Sequence, residues 1–171
     1  MAIKMFDIES TGLKADTSQI VAIGIKEMGK KPIIFSSINK TEGEVIEDFL
    51  KSLKPNDKIV SWYGQNFDMK FVMSRALVHG VDASKLSLIK HLDLWEVFRE
   101  KFAFSSNKMS NICKQLNIEV NDKFEGIDVP NLFIRALRGD ENAWKTIENH
   151  LISDLDSLEK IYKKVSQYIE F

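Results

Sequence analysis

Residues 2–13, AIKMFDIESTGL, contain the pattern that decides the fold. Apolar residues lie on both sides of this segment, which predicts a strand at the centre of a sheet that ends at Ser10-Thr11-Gly12. Asp7 and Glu9 stand two positions apart, and the side chains of a strand repeat with a period of two. Both carboxylates are therefore predicted to lie on one face of the sheet, where a divalent cation would relieve their mutual repulsion.

The segments that follow predict a mixed sheet. Residues 19–28 and 33–38 are strand-like and joined by a short Gly29–Pro32 connection, which favours antiparallel hairpins. Further strands are predicted at residues 58–63 and within 86–92, and helical segments separate them, which favours parallel crossovers. The predicted fold class is α/β: a mixed five-stranded sheet, with three antiparallel strands followed by parallel ones, flanked by helices.

Apolar periodicity and capping residues predict the helices. The residues expected to cap helices are Thr41 with Glu44, Asp93 and Ser110. The other predicted helices cover residues 67–79, 130–139 and 141–168. Residues 117–129 are charged and predicted to be irregular, and the three tryptophans are expected to serve as core residues.

Composition limits the class of protein. The chain has 171 residues, of which 44% are hydrophobic and 29% charged, and its net charge is −1. These values predict a single globular domain over residues 1–171, without a broad positively charged surface for binding nucleic acid. No apolar run approaches the roughly 18 residues that a membrane span needs. The single cysteine, Cys113, excludes an intrachain disulfide and a cysteine-type zinc site, and a cytoplasmic location is expected.

Two further carboxylates occupy unusual environments. Asp68 follows the fourth strand and opens a helix, so it is predicted to approach the same edge of the sheet as Asp7. Asp154 interrupts the apolar stripe of the last helix, and burying a carboxylate without a partner is costly. His150 lies one turn before Asp154 on the same flank. The apolar members of that stripe are Ile147, Leu151, Leu158, Ile161 and Val165.

Each of these residues also has a simpler explanation. Asp154 is equally compatible with a salt bridge to Arg75 or Arg135, and His150 with an ordinary half-exposed polar residue. The joint occurrence of four carboxylates and one histidine on three elements favours a metal site. Oxygen ligands without cysteine select Mg²⁺ or Mn²⁺.

Three segments carry a resemblance to a known family. Phe6–Leu13 resembles the first motif of the DEDD 3′–5′ exonucleases, Gly64–Asp68 resembles the second, and His150-x-x-x-Asp154 resembles the third. The closest likeness is to the branch with a His-x-x-x-Asp ending, which is related to the proofreading domains of family B DNA polymerases. The histidine stands four positions before the aspartate, a spacing that the tyrosine type of the family has.

The resemblance implies a ribonuclease H-like fold and a two-metal exonuclease. It implies that two Mg²⁺ or Mn²⁺ ions are held by the four carboxylates, with His150 as the general base. It also implies a nucleic acid with a free 3′ end as the partner, with single-stranded DNA favoured, and nucleoside 5′-monophosphates as products. The residues expected to contact the substrate are Ser10, Thr11, Gly12, Leu13 and Phe67.

Two other functions stay open from the sequence. One is a catalytically silent module that binds nucleic acid or protein on the same fold. The other is a structure-selective endonuclease of the ribonuclease H-like superfamily. Metal-dependent release of mononucleotides separates the exonuclease from both.

Overall fold

The computed structural model describes residues 1–120 and 128–169. These residues form a five-stranded sheet with the strand order β3-β2-β1-β4-β5. The pairs β1–β2 and β2–β3 are antiparallel, whereas β1–β4 and β4–β5 are parallel. The predicted mixed sheet is confirmed. The strands are β1 (Ile3–Ser10), β2 (Ile20–Glu27), β3 (Ile33–Ser36), β4 (Lys58–Ser61) and β5 (Lys90–Asp93).

Within the described residues, six α-helices flank the sheet. They are α1 (Glu42–Ser52), α2 (Asp68–Val78), α3 (Leu94–Lys101), α4 (Met109–Gln115), α5 (Val129–Leu137) and α6 (Glu141–Val165). Short 3₁₀ segments cover Ser84–Leu88 and Ser166–Tyr168. None of the helices that the structure describes combines the length and the apolar character needed to cross a membrane.

Strand β1 separates two hydrophobic cores because its apolar residues point alternately to the two faces. Phe6 and Ile8 pack with residues of α1 and α2, while Met5 packs with residues of α3, α4 and α6. Asp7 shares the odd-numbered face with Met5, so it points toward the side on which α6 lies.

Helix α6 lies very close to the sheet at Gly24. A Cβ atom at this position would come within 2.8–2.9 Å of the Leu155 and Leu151 side chains, so a larger residue would force the helix outward. Gly24 pairs with Asp7 in the β1–β2 ladder. The close approach therefore occurs beside Asp7. Ion pairs from Lys26 to Asp156 (2.5 Å) and to Glu159 (2.6 Å) hold α6 against β2.

Several predicted element boundaries change in the structure. The fifth strand is confined to Lys90–Asp93, and a 3₁₀ turn occupies the preceding Ser84–Leu88, which the sequence had assigned partly to the strand. The predicted Ser110 cap is wrong, because α4 begins at Met109 and has no side-chain cap. The capping box of Thr41 with Glu44 is confirmed. Of the loop predicted at residues 117–129, positions 121–127 lie outside the described residues.

Candidate active site

The first two carboxylates stand at the end of β1, as the strand period predicts. Glu9 is buried and Asp7 half-buried. The register with β2 shifts between Glu9 and Ser10, which marks a bulge directly after the acidic pair. Bulges often occur beside active sites, where they redirect side chains. Burial, followed by the charges of Asp68, Asp154 and Glu9, raises the pKa of Asp7 well above its usual value.

Asp68 meets Asp7 directly. It is the first residue of α2, is 4% exposed, and its carboxyl group interacts with that of Asp7. Burial raises the pKa of Asp68 to about 7; backbone N–H groups of Asp68 and Ile8 oppose the shift, and the charge of Asp93 adds to it. Two carboxyl groups in this contact require a proton between them or a cation beside them.

Helix α6 supplies Asp154 and His150. Nε2 of His150 lies 3.7 Å from Oδ2 of Asp154 and 3.9 Å from Oε1 of Glu9. The side chains of His150 and Asp154 are 23% and 24% exposed. The full core position expected for Asp154 is therefore wrong: Leu155 occupies the core, and Asp154 lies on the border of the stripe. From this border its charge reaches Asp7.

The two arginines considered as partners of Asp154 pair elsewhere. Arg75 contacts Glu42 at 2.7 Å, and Arg135 contacts Asp140 at 2.6 Å. The interactions of Asp7 with Asp68, Asp154 and Glu9 join four carboxylates from three separate elements.

The donor chemistry of this cluster fits hard divalent cations. All four acids supply oxygen ligands, which Mg²⁺ and Mn²⁺ prefer. Within residues 1–120 and 128–169, no group of three or more His, Cys, Asp or Glu side chains is arranged so that it could hold a metal ion. Burial and the neighbouring carboxylates instead favour a proton on Asp7 or Asp68. A cation that replaced that proton would restore the charge of both groups.

The predicted substrate residues fall into two environments. Residues 10–13 form a turn that two hydrogen bonds stabilise. The Thr11 N–H donates to the Gln19 carbonyl (3.0 Å), and the Ser10 hydroxyl donates to the Gly12 carbonyl (2.7 Å). Leu13 is 82% exposed, so its side chain faces solvent after the acidic pair. Phe67 is partly buried against the core, with its ring centroid 5.5 Å from that of Phe71.

Asp93 has a larger role than the helix cap that the sequence predicts. It caps α3 through the Trp95 N–H (3.0 Å), and it also accepts the N–H groups of Tyr63 (2.8 Å) and Gln65 (3.0 Å). Asp93 thereby holds the turn that leads to Asp68. Its position at the end of β5, next to β4, is the signal that predicts this proximity.

Two neighbours of Asp93 were not anticipated as part of this region. The Ser61 hydroxyl and Nε2 of His91 lie 2.7 Å apart, and burial lowers the pKa of His91 to about 4, so this imidazole is neutral at physiological pH.

The core role expected for Trp95 is wrong. Trp95 is half-buried and contacts Tyr63 and Arg99, whereas Trp62 and Trp144 pack against the cores.

The chain resembles known proteins over most of its length. It is 29% identical over 170 residues to an uncharacterized protein of Methanocaldococcus jannaschii, covering 95% of this chain and 94% of that protein. It is 24% identical over 182 residues to a DNA polymerase III of the PolC type from Ureaplasma parvum, covering 88% of this chain and 12% of the polymerase.

A solved structure with a similar fold is the family B DNA polymerase of the hyperthermophilic archaeon Pyrobaculum calidifontis. The TM-score is 0.78 at 16% identity, and the match covers 97% of this chain and 24% of the polymerase. This likeness supports the fold, and the chain corresponds to a small part of either polymerase. A family model described as the RNase H superfamily matches residues 5–166. Because that match spans nearly the whole chain and agrees with the mixed sheet, the chain belongs to the RNase H superfamily.

Proposed function

We propose that the chain is a metal-dependent 3′–5′ exonuclease and that residues 1–171 make up a single domain with this activity. The observation that carries the proposal is the convergence of three further carboxylates, Glu9 of β1, Asp68 of α2 and Asp154 of α6, on Asp7. Membership of the RNase H superfamily and the sequence likeness to a DNA polymerase support a nucleic-acid substrate.

Asp7, Glu9, Asp68 and Asp154 are the proposed metal ligands, for two Mg²⁺ or Mn²⁺ ions. When bound, such ions supply Lewis-acid stabilisation of a phosphodiester and lower the pKa of a coordinated water. The four acids come from rigid elements, and Gly24 lets α6 approach closely enough for Asp154 to join them. The protein's own contribution is to hold these carboxylate oxygens together beside the C-terminal end of β1.

His150 is the proposed general base. It lies on the flank of α6 that carries Asp154 and faces Glu9. Its side chain is 23% exposed, so water has access to the ring. A neutral imidazole there accepts the proton of an attacking water, and the two nearby carboxylates stabilise the imidazolium that forms. General-base catalysis of this kind contributes about 10²–10⁴ to a rate.

The proposed substrate is a nucleic acid with a free 3′ end, with single-stranded DNA favoured. Ser10, Thr11, Gly12, Leu13 and Phe67 are the proposed contacts of the terminal nucleotide. The turn at residues 10–13 follows the metal ligands directly, and Leu13 is exposed there. The expected products are nucleoside 5′-monophosphates.

The test uses the full chain with 3′-labelled single-stranded DNA and RNA, in Mg²⁺, Mn²⁺ or EDTA. The expected result is release of labelled mononucleotide with either metal and none in EDTA. Internal fragments would replace the proposal with an endonuclease. Absence of cleavage on single-stranded and duplex substrates with both ions would favour a silent binding module.

A further inference from the structure

The turn between β4 and α2 is held in an unusual backbone conformation. Tyr63 has a φ of 61°, in the left-handed region that residues with a Cβ atom rarely adopt. Asp93 stabilises this conformation, because its buried carboxylate accepts the Tyr63 and Gln65 N–H groups. Strained residues that the surroundings hold in place concentrate at functional sites.

The constrained backbone presents the Tyr63 ring at the surface. Tyr63 is 45% exposed, and its ring meets that of Trp95 edge to face, with the centroids 5.0 Å apart and the planes at 73°. The Trp95 N–H donates to the same carboxylate oxygen as that of Tyr63. Asp93 therefore fixes the backbone beneath both rings.

Arg99 extends this surface by one helical turn. Its guanidinium carbon lies 5.3 Å from the Trp95 ring centroid, and the side chain is 53% exposed. A salt bridge to Glu96 holds the guanidinium group and offsets its charge. Its planar face, rather than a net positive charge, is what this arginine adds to the surface.

The three side chains lie beside the acidic cluster. Tyr63 lies in the turn that ends at Asp68, five residues later, and Trp95 is the second residue of α3, two positions after Asp93. The backbone after Tyr63 also approaches Asp68, because a Cβ atom at Gly64 would lie 3.3 Å from Oδ2 of Asp68. A polynucleotide that extends from the acidic cluster can therefore contact aromatic side chains that follow the C-terminal ends of β4 and β5.

We infer that Tyr63, Trp95 and Arg99 form a base-stacking site for a single-stranded polynucleotide whose 3′ end occupies the acidic cluster. The inference rests on the proposed function for the identity of the ligand. A chain with a net charge of −1 has little Coulombic attraction for a polyanion, so stacking supplies binding energy that charge does not. Every base has a π face, so such a site accepts any sequence.

The test is equilibrium binding of a fluorescent mixed-sequence oligodeoxynucleotide to the full chain in EDTA, which prevents hydrolysis. Tyr63→Asn removes the ring and suits the left-handed backbone, whereas Tyr63→Phe keeps a stacking ring. We expect Tyr63→Asn to weaken binding by about fivefold or more, Tyr63→Phe to preserve it, and Arg99→Ala to weaken it. The loss in Tyr63→Asn should be the same at about 50 and 200 mM salt, because this change removes neither a charge nor a phosphate contact.

Two controls make the experiment specific. Leu77→Ala alters a side chain that is 82% exposed near the far end of α2, and it should leave binding unchanged. An abasic oligonucleotide of the same length should bind wild-type protein at least as weakly as Tyr63→Asn binds the normal one, because it also loses stacking on Trp95 and Arg99. Equal wild-type affinity for the two oligonucleotides, or full affinity in both Tyr63→Asn and Arg99→Ala, would overturn the stacking site.

The two proposals fail separately. Metal-dependent release of mononucleotides with unchanged binding by the variants would remove the stacking site and leave the exonuclease. Base-dependent binding that Tyr63→Asn weakens, without hydrolysis in Mg²⁺ or Mn²⁺, would remove the exonuclease and leave the stacking site. Thermal melting of each variant confirms that binding is measured on folded protein.

Discussion

Helices α1 and α2 pack on the same face of the sheet, are each 11 residues long, and each begin with a buried acid, yet the two acids have opposite surroundings. Burial alone would raise the pKa of Glu42, but hydrogen bonds from Arg75, the Ile20 N–H and His79 lower it below its usual value. At Asp68, burial prevails and the pKa rises to about 7.

The difference separates a structural acid from a candidate functional one. Glu42 joins α1, α2 and the start of β2, and Arg75 also donates to the Ala15 carbonyl at 2.8 Å. The negative charge of Glu42 is therefore neutralised by partners within the protein. Asp68 instead faces Asp7, and neutralisation requires a proton or a cation from solution. Glu42, with its partners inside the protein, therefore contributes to stability, whereas Asp68 is a candidate metal ligand.

The largest expected effect is at the centre of the acidic cluster. Asp7→Asn should lower the rate of mononucleotide release by about 10⁴-fold or more, because metal ions stabilise the transition state by several kcal/mol. The fold should persist, since the change removes a repelling charge. Kinetics with 3′-labelled DNA and circular dichroism check both statements. Activity within tenfold of wild type would contradict the assigned role of Asp7.

A smaller loss of activity is expected at His150. His150→Asn should lower kcat by about 10²–10⁴-fold through loss of the general base. It should keep the rise in Tm that Mg²⁺ produces, because the four carboxylates remain, whereas Asp7→Asn should lose that rise. Thermal melting with and without Mg²⁺ distinguishes the two variants. An equal loss of metal-induced stabilisation in both would make His150 a ligand rather than a base.

The structural acid should show its effect in stability. Glu42→Ala leaves Arg75 without its carboxylate partner and should lower the free energy of unfolding by about 3–5 kcal/mol. Glu47→Ala is the matched control: Glu47 lies on the same helix, is 51% exposed, and pairs with solvent-exposed Lys51 at 3.2 Å. Its removal should cost less than about 1 kcal/mol. Urea denaturation measures both, and equal effects would refute the contrast.

The smallest expected effect is the pH dependence at Asp68. Its pKa is raised in the folded state, so the metal-free protein should lose stability as the pH rises from about 4 to about 7. Asp68→Asn should reduce this loss and be more stable than wild type near pH 8 by on the order of 2 kcal/mol, while Asp7 keeps its own contribution. Urea denaturation in EDTA provides the measurement. A wild-type stability that increases over this range would have the wrong sign.

Local patterns predicted most of the fold because they depend on neighbouring residues. The alternation around Asp7 and Glu9 placed both on one face, and the Thr41 capping box needs only Glu44 three residues later. Boundaries were less predictable where tertiary contacts compete. Residues 86–92 contain enough apolar residues for a strand, yet Leu88 is 82% exposed in the 3₁₀ turn, and pairing with β4 begins only at Lys90.

The candidate site also combines features that the local sequence predicts with features that tertiary contacts decide. The sequence by itself identified the four acids, because strand period, helix start and helix stripe are properties of short segments. Only the tertiary structure decided that Arg75 and Arg135 pair elsewhere, that Asp154 borders the core, and that Asp93 fastens the turn carrying Tyr63. These outcomes depend on contacts between residues distant in the chain, whose energies arise only once the sheet and helices have packed.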